Sequence, residues 1–146
     1  SFATPLLVIA VIPFGIAGVL AVFLLHAQPM TFLATMGIVG LTGVIVNDSL
    51  VMVDRLLQVD YAVLSVKQRI GAVAGGAAAR FRAIVLTTVT TAAGVLPLAY
   101  GIGGKDYTNA PMALALGWGL VFGTIVSLFV LPAMFYAALQ IRYPKK

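Results

Sequence analysis

One carboxylate stands alone in a long apolar run. Asp48, within Asn47-Asp48-Ser49, is the only charged residue among the 22 from Phe32 to Val53. A carboxyl group at membrane depth is costly, so it normally faces a bundle interior or a wet cavity and handles ions or protons. At roughly 1.5 Å per residue, Asp48 lies about 9 Å inward of Asp54, which ends the run. The simpler alternative is a packing role, with the carboxyl hydrogen-bonded to neighbouring helices or kept protonated by burial. Helical spacing separates the two polar neighbours: Asn47 shares a stripe with Gly40, Gly43 and Asp54, and Asp48 shares its face with Leu41, Val44 and Arg55. Asp54 and Arg55 read as interfacial anchors.

A second set follows at helical intervals. Arg80, Thr87, Thr91 and Gly94 recur at seven, four and three residues, which predicts one polar stripe running inward from the surface. Hydroxyls both donate and accept, so such a stripe can carry a proton or water wire. Threonines can equally bond back to carbonyls of their own helix. Taken with Asp48 the path is the favoured reading, and the expected coupling residues are Asp48, Asn47, Arg80, Thr87 and Thr91.

These residues need long apolar helices to hold them. Of 146 residues 62% are hydrophobic and 9% charged, and the mean hydropathy is +1.10, outside the balance of a soluble domain. Four spans are expected: Pro5 to Leu25, Phe32 to Val53, Ala83 to Ile102, and Met112 to about Leu139. Each must be helical, because a spanning segment has to satisfy its own backbone. The connection from His26 to Thr31 is short and makes the first two spans antiparallel neighbours. Between the second and third lies Arg55 to Arg82, amphipathic and rich in Gly and Ala, expected as a helix lying along the membrane interface. A polar loop from Gly103 to Pro111 joins the last two spans and ends in a proline suited to a first helical turn.

Pro13 and Pro132 should kink their helices. Gly37, Gly40 and Gly43, and the pair Gly119 and Gly123, make faces that another helix can approach closely. Eight of the nine Lys and Arg residues fall after span two or after span four, and only Lys105 falls on the other side. The positive-inside bias therefore places the Arg55 to Arg82 segment, the C-terminus and Ser1 in the cytoplasm. The first span has no basic n-region of a signal peptide, and it reads as a mature span. The chain opens at Ser1-Phe2-Ala3-Thr4, directly against that span, and is expected to be part of a longer protein.

Several chemistries are set aside. There is no cysteine and one histidine, which removes disulfides, thiol catalysis and a histidine metal cluster. A pI of 9.9 reflects membrane topology here, not nucleic-acid binding. Asn47-Asp48-Ser49 fits a glycosylation sequon but lies inside a span. Gly101 to Lys105 resembles a phosphate loop, with Ala99 where a glycine and Asp106 where a hydroxyl are needed. An intramembrane aspartyl protease requires two convergent carboxylates, and one deep carboxylate is present. His26, at a span end, reads as an interfacial residue. No cofactor is implied.

The string Gly43-Val-Ile-Val-Asn-Asp-Ser-Leu-Val-Met-Val-Asp-Arg55 resembles the tenth transmembrane helix of the resistance-nodulation-division (RND) efflux transporters. Pro13 to Gly18 is similar to part of the ninth helix, Arg80 to Thr88 with Gly94 to Leu98 to the eleventh, and Leu128 to Phe135 to the twelfth. The resemblance covers nearly the whole chain, in order. It implies an all-α bundle of four spans plus one interfacial helix, residues 1–146 forming the C-terminal part of a twelve-helix membrane domain in the bacterial inner membrane. It further implies proton-driven export of drugs or other amphiphiles by a homotrimer joined to a periplasmic adaptor and an outer-membrane channel. Such a chain would depend on the remainder of the same transporter and could not pump by itself. Arg80 and Thr87 resemble the family's eleventh-helix relay positions, and Asn47 the usual Asn of the tenth. Val46 stands where the best-known drug pumps carry a lysine, so Asp48 is expected to supply the titratable group instead. A receptor or lipid-sensing scaffold built on the same helices is the alternative, with a membrane enzyme more distant.

Overall fold

The structure of the chain, a computed structural model, describes residues 3–143. Its elements are α1 (Ala3–Ile9), α2 (Ile12–Leu25), α3 (Phe32–Leu57), a 3-10 turn (Tyr61–Val63), α4 (Val66–Ala99) and α5 (Ala110–Arg142). By length and composition four helical segments are able to cross a membrane, α1 and α2 together counting as one. The fold of the described residues is all-α, as the hydropathy pattern requires.

Local chemistry sets most of the boundaries. Thr31 caps α3 by accepting from the Ala34 amide at 3.1 Å. Ser65 and Gln68 form a reciprocal capping box at the start of α4, with the Ser65 amide donating to Gln68 Oε1 at 2.9 Å. Pro111 occupies the first turn of α5. At the far ends of α2 and α4 the chain turns through a left-handed residue, Ala27 (φ 49) and Gly101 (φ 70). Both ends close with the paired bonds of a Schellman motif. Gln28 N donates to Phe23 O and Ala27 N to Leu24 O; Ile102 N donates to Pro97 O and Gly101 N to Leu98 O. That turn ends the third span at Ala99, three residues before the expected limit.

Pro13 breaks the first span outright. α1 stops at Ile9 and α2 restarts at Ile12, because Pro13 cannot donate to the carbonyl four residues before it. Pro132, by contrast, lies inside α5, which continues through it.

The stretch expected as a separate interfacial helix is divided. Its first residues finish α3, residues 58–65 make the turn, and everything from Val66 onward belongs to the helix that becomes the third span. No proline interrupts Val66 to Leu96 and the Ser65 box starts the helix firmly, so its 34 residues run on without a break. At 1.5 Å per residue α4 is about 51 Å long, well beyond a hydrocarbon core of about 30 Å. Its basic first half therefore extends past the membrane's apolar layer.

α5 is the centre of the bundle and packs against α2, α3 and α4. Small residues allow this. A Cβ on Gly18 would strike the Phe122 ring, one on Gly119 would meet Leu41 and Val19, and one on Gly117 would meet Leu96 and Val95. At the basic end Arg69 ties three segments together: Nε donates to Tyr61 O and Nη1 to Tyr143 O, each at 3.0 Å.

Candidate functional site

Asp48 is half-buried in the described bundle, and its Oδ2 is fully enclosed without a hydrogen-bond partner. Its place on α3 explains this. Seven residues before it, Leu41 is buried and lies against the position of Gly119 on α5; four after it, Met52 is 1% exposed. Asp48 is therefore on the face of α3 that meets α5, where no donor among the described residues reaches its Oδ2.

Asn47 is turned away. It is exposed together with Gly40, Gly43 and Asp54, so the stripe read from spacing is one open face of α3. Ser49, on the other flank of Asp48, is 2% exposed and its Oγ also lacks a partner. It follows Ile45 by one turn, and Ile45 contacts both Gly15 of α2 and Gly123 of α5.

On α4, Arg80 and Thr91 are half-buried and Thr87 is exposed. Thr87 Oγ1 donates to Ala83 O at 2.9 Å, and Thr90 Oγ1 to Leu86 O at 2.9 Å. These hydroxyls spend their protons on their own helix and keep their lone pairs for accepting. The stripe borders the buried face of α4 formed by Ile84, Thr88 and Ala92. Antiparallel to α3 and touching it where Leu56 meets Gly76, α4 brings Ile84 level with Asp48 when residues are counted along both helices. Arg80 and Thr87 then lie about one turn to either side.

A feature that the spacing argument passed over lies deeper. Among the described residues the buried polar side chains are Ser49, Thr88, Thr124 and Ser127. Thr88 and Thr124 share a hydrogen bond of 2.7 Å between α4 and α5, and Ser127 Oγ donates to Thr124 O at 3.0 Å. The available signal was two hydroxyls three residues apart in an otherwise apolar span four.

At the opposite end His26 joins a small aromatic network. Its Nδ1 donates to Val22 O at 2.9 Å, and its Nε2 lies 3.1 Å from Tyr100 OH. Trp118 Nε1 donates to the same Tyr100 oxygen at 2.7 Å. This network joins the C-terminal ends of α2 and α4 to the third turn of α5 and lies apart from Asp48.

Residues 1–139 match the sequence profile of the AcrB/AcrD/AcrF family. The multidrug resistance protein MdtC of Erwinia tasmaniensis is 29% identical over 135 residues, covering 92% of this chain and 13% of its own length. MdtC of Salmonella paratyphi A and of Escherichia coli UTI89 are 26% and 27% identical over 148 residues, covering the whole chain and 14% of their length. The chain thus spans about one-seventh of the curated relatives it matches. No solved structure matches it.

Proposed function

The chain belongs to the AcrB/AcrD/AcrF family, and from that membership and the half-buried carboxylate we propose that it is the proton-coupling part of an RND exporter's membrane domain. The full transporter exports drugs or other small amphiphiles across the bacterial inner membrane. It works as a homotrimer with a periplasmic adaptor and an outer-membrane channel, and the ends of α3, α4 and α5 that carry Arg55, Lys67, Arg69 and Arg142 face the cytoplasm. The names of the relatives, multidrug resistance proteins, support the export reading.

The observation that carries the coupling role is Asp48 Oδ2, enclosed on the α5-facing side of α3 without a donor. A carboxylate left so is strongly disfavoured at membrane depth; a protonated carboxyl is tolerated far better. Gain and loss of a proton therefore change which helix arrangement is stable, and this couples proton movement to conformational cycling. Arg80, Thr87 and Thr91 supply the polar edge by which protons reach or leave Asp48. Asn47, on the open face of α3, meets the remainder of the transporter.

The test is proton-gradient-dependent export by the full-length transporter, with wild type and Asp48→Asn at equal membrane abundance. Export is expected to fall by roughly a hundredfold, the scale of losing a positioned proton-transfer group. Undiminished export by Asp48→Asn would return these helices to a scaffold or lipid-sensing role.

A further inference from the structure

We propose that Thr88, Thr124 and Ser127 form, with Asp48, a buried water-binding site where α3, α4 and α5 meet, making α5 part of the coupling site. The proposal rests on the reading of Asp48 as the coupling carboxyl and adds the groups that hold it.

The packing register brings these groups to one level. Gly37 of α3 lies against Ala115 of α5, Leu41 against Gly119, and Ile45 against Gly123. Three successive turns of two parallel helices thus keep a constant offset. One turn further the same offset sets Ser49 level with Ser127 and Asp48 level with Val126, between Thr124 and Ser127. The face agrees, since Asp48 lies above Leu41, which is itself against α5. α4 joins at this level through the 2.7 Å bond between Thr88 and Thr124. Ser49 is turned about 100° from Asp48, toward α2, and belongs to a separate neighbourhood.

The hydrogen-bond inventory leaves room for one more partner. One member of the Thr88 and Thr124 pair donates to the other, so the accepting hydroxyl still has its own proton to give. Ser127 spends its proton on Thr124 O and keeps its lone pairs. Asp48 Oδ2 is an enclosed acceptor with no donor among the described residues. A water accepts from the threonine hydroxyl and donates to Asp48 Oδ2 and to Ser127 Oγ, the three bonds typical of a buried water. When Asp48 is protonated the water rotates and accepts from the carboxyl; when it is ionised a single water hydrogen bond leaves the charge only partly compensated, so this helix arrangement still favours the protonated state. The charged groups on the packed elements are Asp54 and Arg55 on α3, Lys67, Arg69, Arg80 and Arg82 on α4, and Arg142 on α5; α2 contributes none.

The experiment uses the purified full-length transporter and the infrared C=O band that disappears in Asp48→Asn. Ser127→Ala removes a hydroxyl with almost no change in volume, and Thr124→Val replaces one with a methyl group. Both are expected to shift the Asp48 band and to lower proton-coupled export roughly tenfold, the loss of one hydrogen bond to a charged group. Thr124→Ser, which keeps the hydroxyl, should retain the band position. A band unmoved in Ser127→Ala and Thr124→Val protein that still folds overturns the site. If Thr124→Val fails to fold, Ser127→Ala alone decides. Should Asp48→Asn leave export intact while Ser127→Ala still shifts the band, the water site stands and the coupling role of Asp48 falls.

Discussion

The two faces of α3 carry the same kind of residue and have different fates. On the inner face a Cβ at Gly37 would come within 2.6 Å of Met112 O and 3.0 Å of Ala115 Cβ. On the outer face Gly43 has nothing within 4 Å, and Gly40 meets only Leu116 Cδ1 at an ordinary 3.6 Å. Asp48 belongs to the first face and Asn47 to the second. A glycine at helical spacing therefore marks a surface that permits close approach, and the fold decides whether anything has approached. The open face, small and polar at its centre, fits the proposed docking of the rest of the transporter.

The inner face is the more sensitive to substitution. Gly37→Ala should lower the stability of the chain in detergent by about 1–3 kcal/mol, because the obstructing atom is a backbone carbonyl that cannot rotate away. Gly43→Ala should be neutral or stabilise by up to about 1 kcal/mol, since it replaces a glycine within a helix. Thermal unfolding of the two variants measures both, and equal losses would erase the distinction between the faces. In the full-length transporter the same Gly43 position sharpens it: Gly43→Leu should cut export while leaving the melting of the chain alone unchanged.

Smaller effects are expected where polar groups lie outside the spans. Tyr61 stacks edge-to-face on Phe135 with ring centroids 5.8 Å apart, and its buried hydroxyl has no partner among the described residues. Burial pushes its phenol above the usual range. Tyr61→Phe keeps the stacking and removes the unpaired group, so thermal unfolding should show no loss, or a gain of up to about 1 kcal/mol.

The smallest effect belongs to Asp106 in the exposed loop before α5. The Asn109 side chain, donating at 2.7 Å, leads the backbone amides of Asn109 and Thr108 in holding its carboxyl below the ordinary carboxylate value. A carboxyl lowered on folding contributes above its unfolded pKa of about 3.9, and that contribution disappears as pH falls through the folded value. Acidification should lower the protection of the Thr108 and Asn109 amides, taken as exchange relative to the intrinsic rate at each pH, and Asp106→Asn should flatten that response.

Much of the architecture was legible in advance. The four apolar runs required helices because a single spanning segment must satisfy its own backbone in hydrocarbon; Pro111 marked a helix start, and Pro13 a disruption that was expected as a kink and is found as a break. The placing of Asp48 and Asn47 on different faces, about 100° apart, also followed from 3.6-residue periodicity alone. Less legible was the run from Val66 to Ala99. Its composition changes from amphipathic to apolar, which reads as two elements, yet no backbone breaker separates them and one helix results.

Neighbours a few residues apart along the chain fix helix, cap, break, and which residues share a face. Which of those faces are occupied is set by how the helices pack. Thr88 meets Thr124 across 36 residues, Gly37 is filled by Met112, and Gly43 is left open, because contacts between helices depend on offset and crossing, which no single helix's periodicity contains.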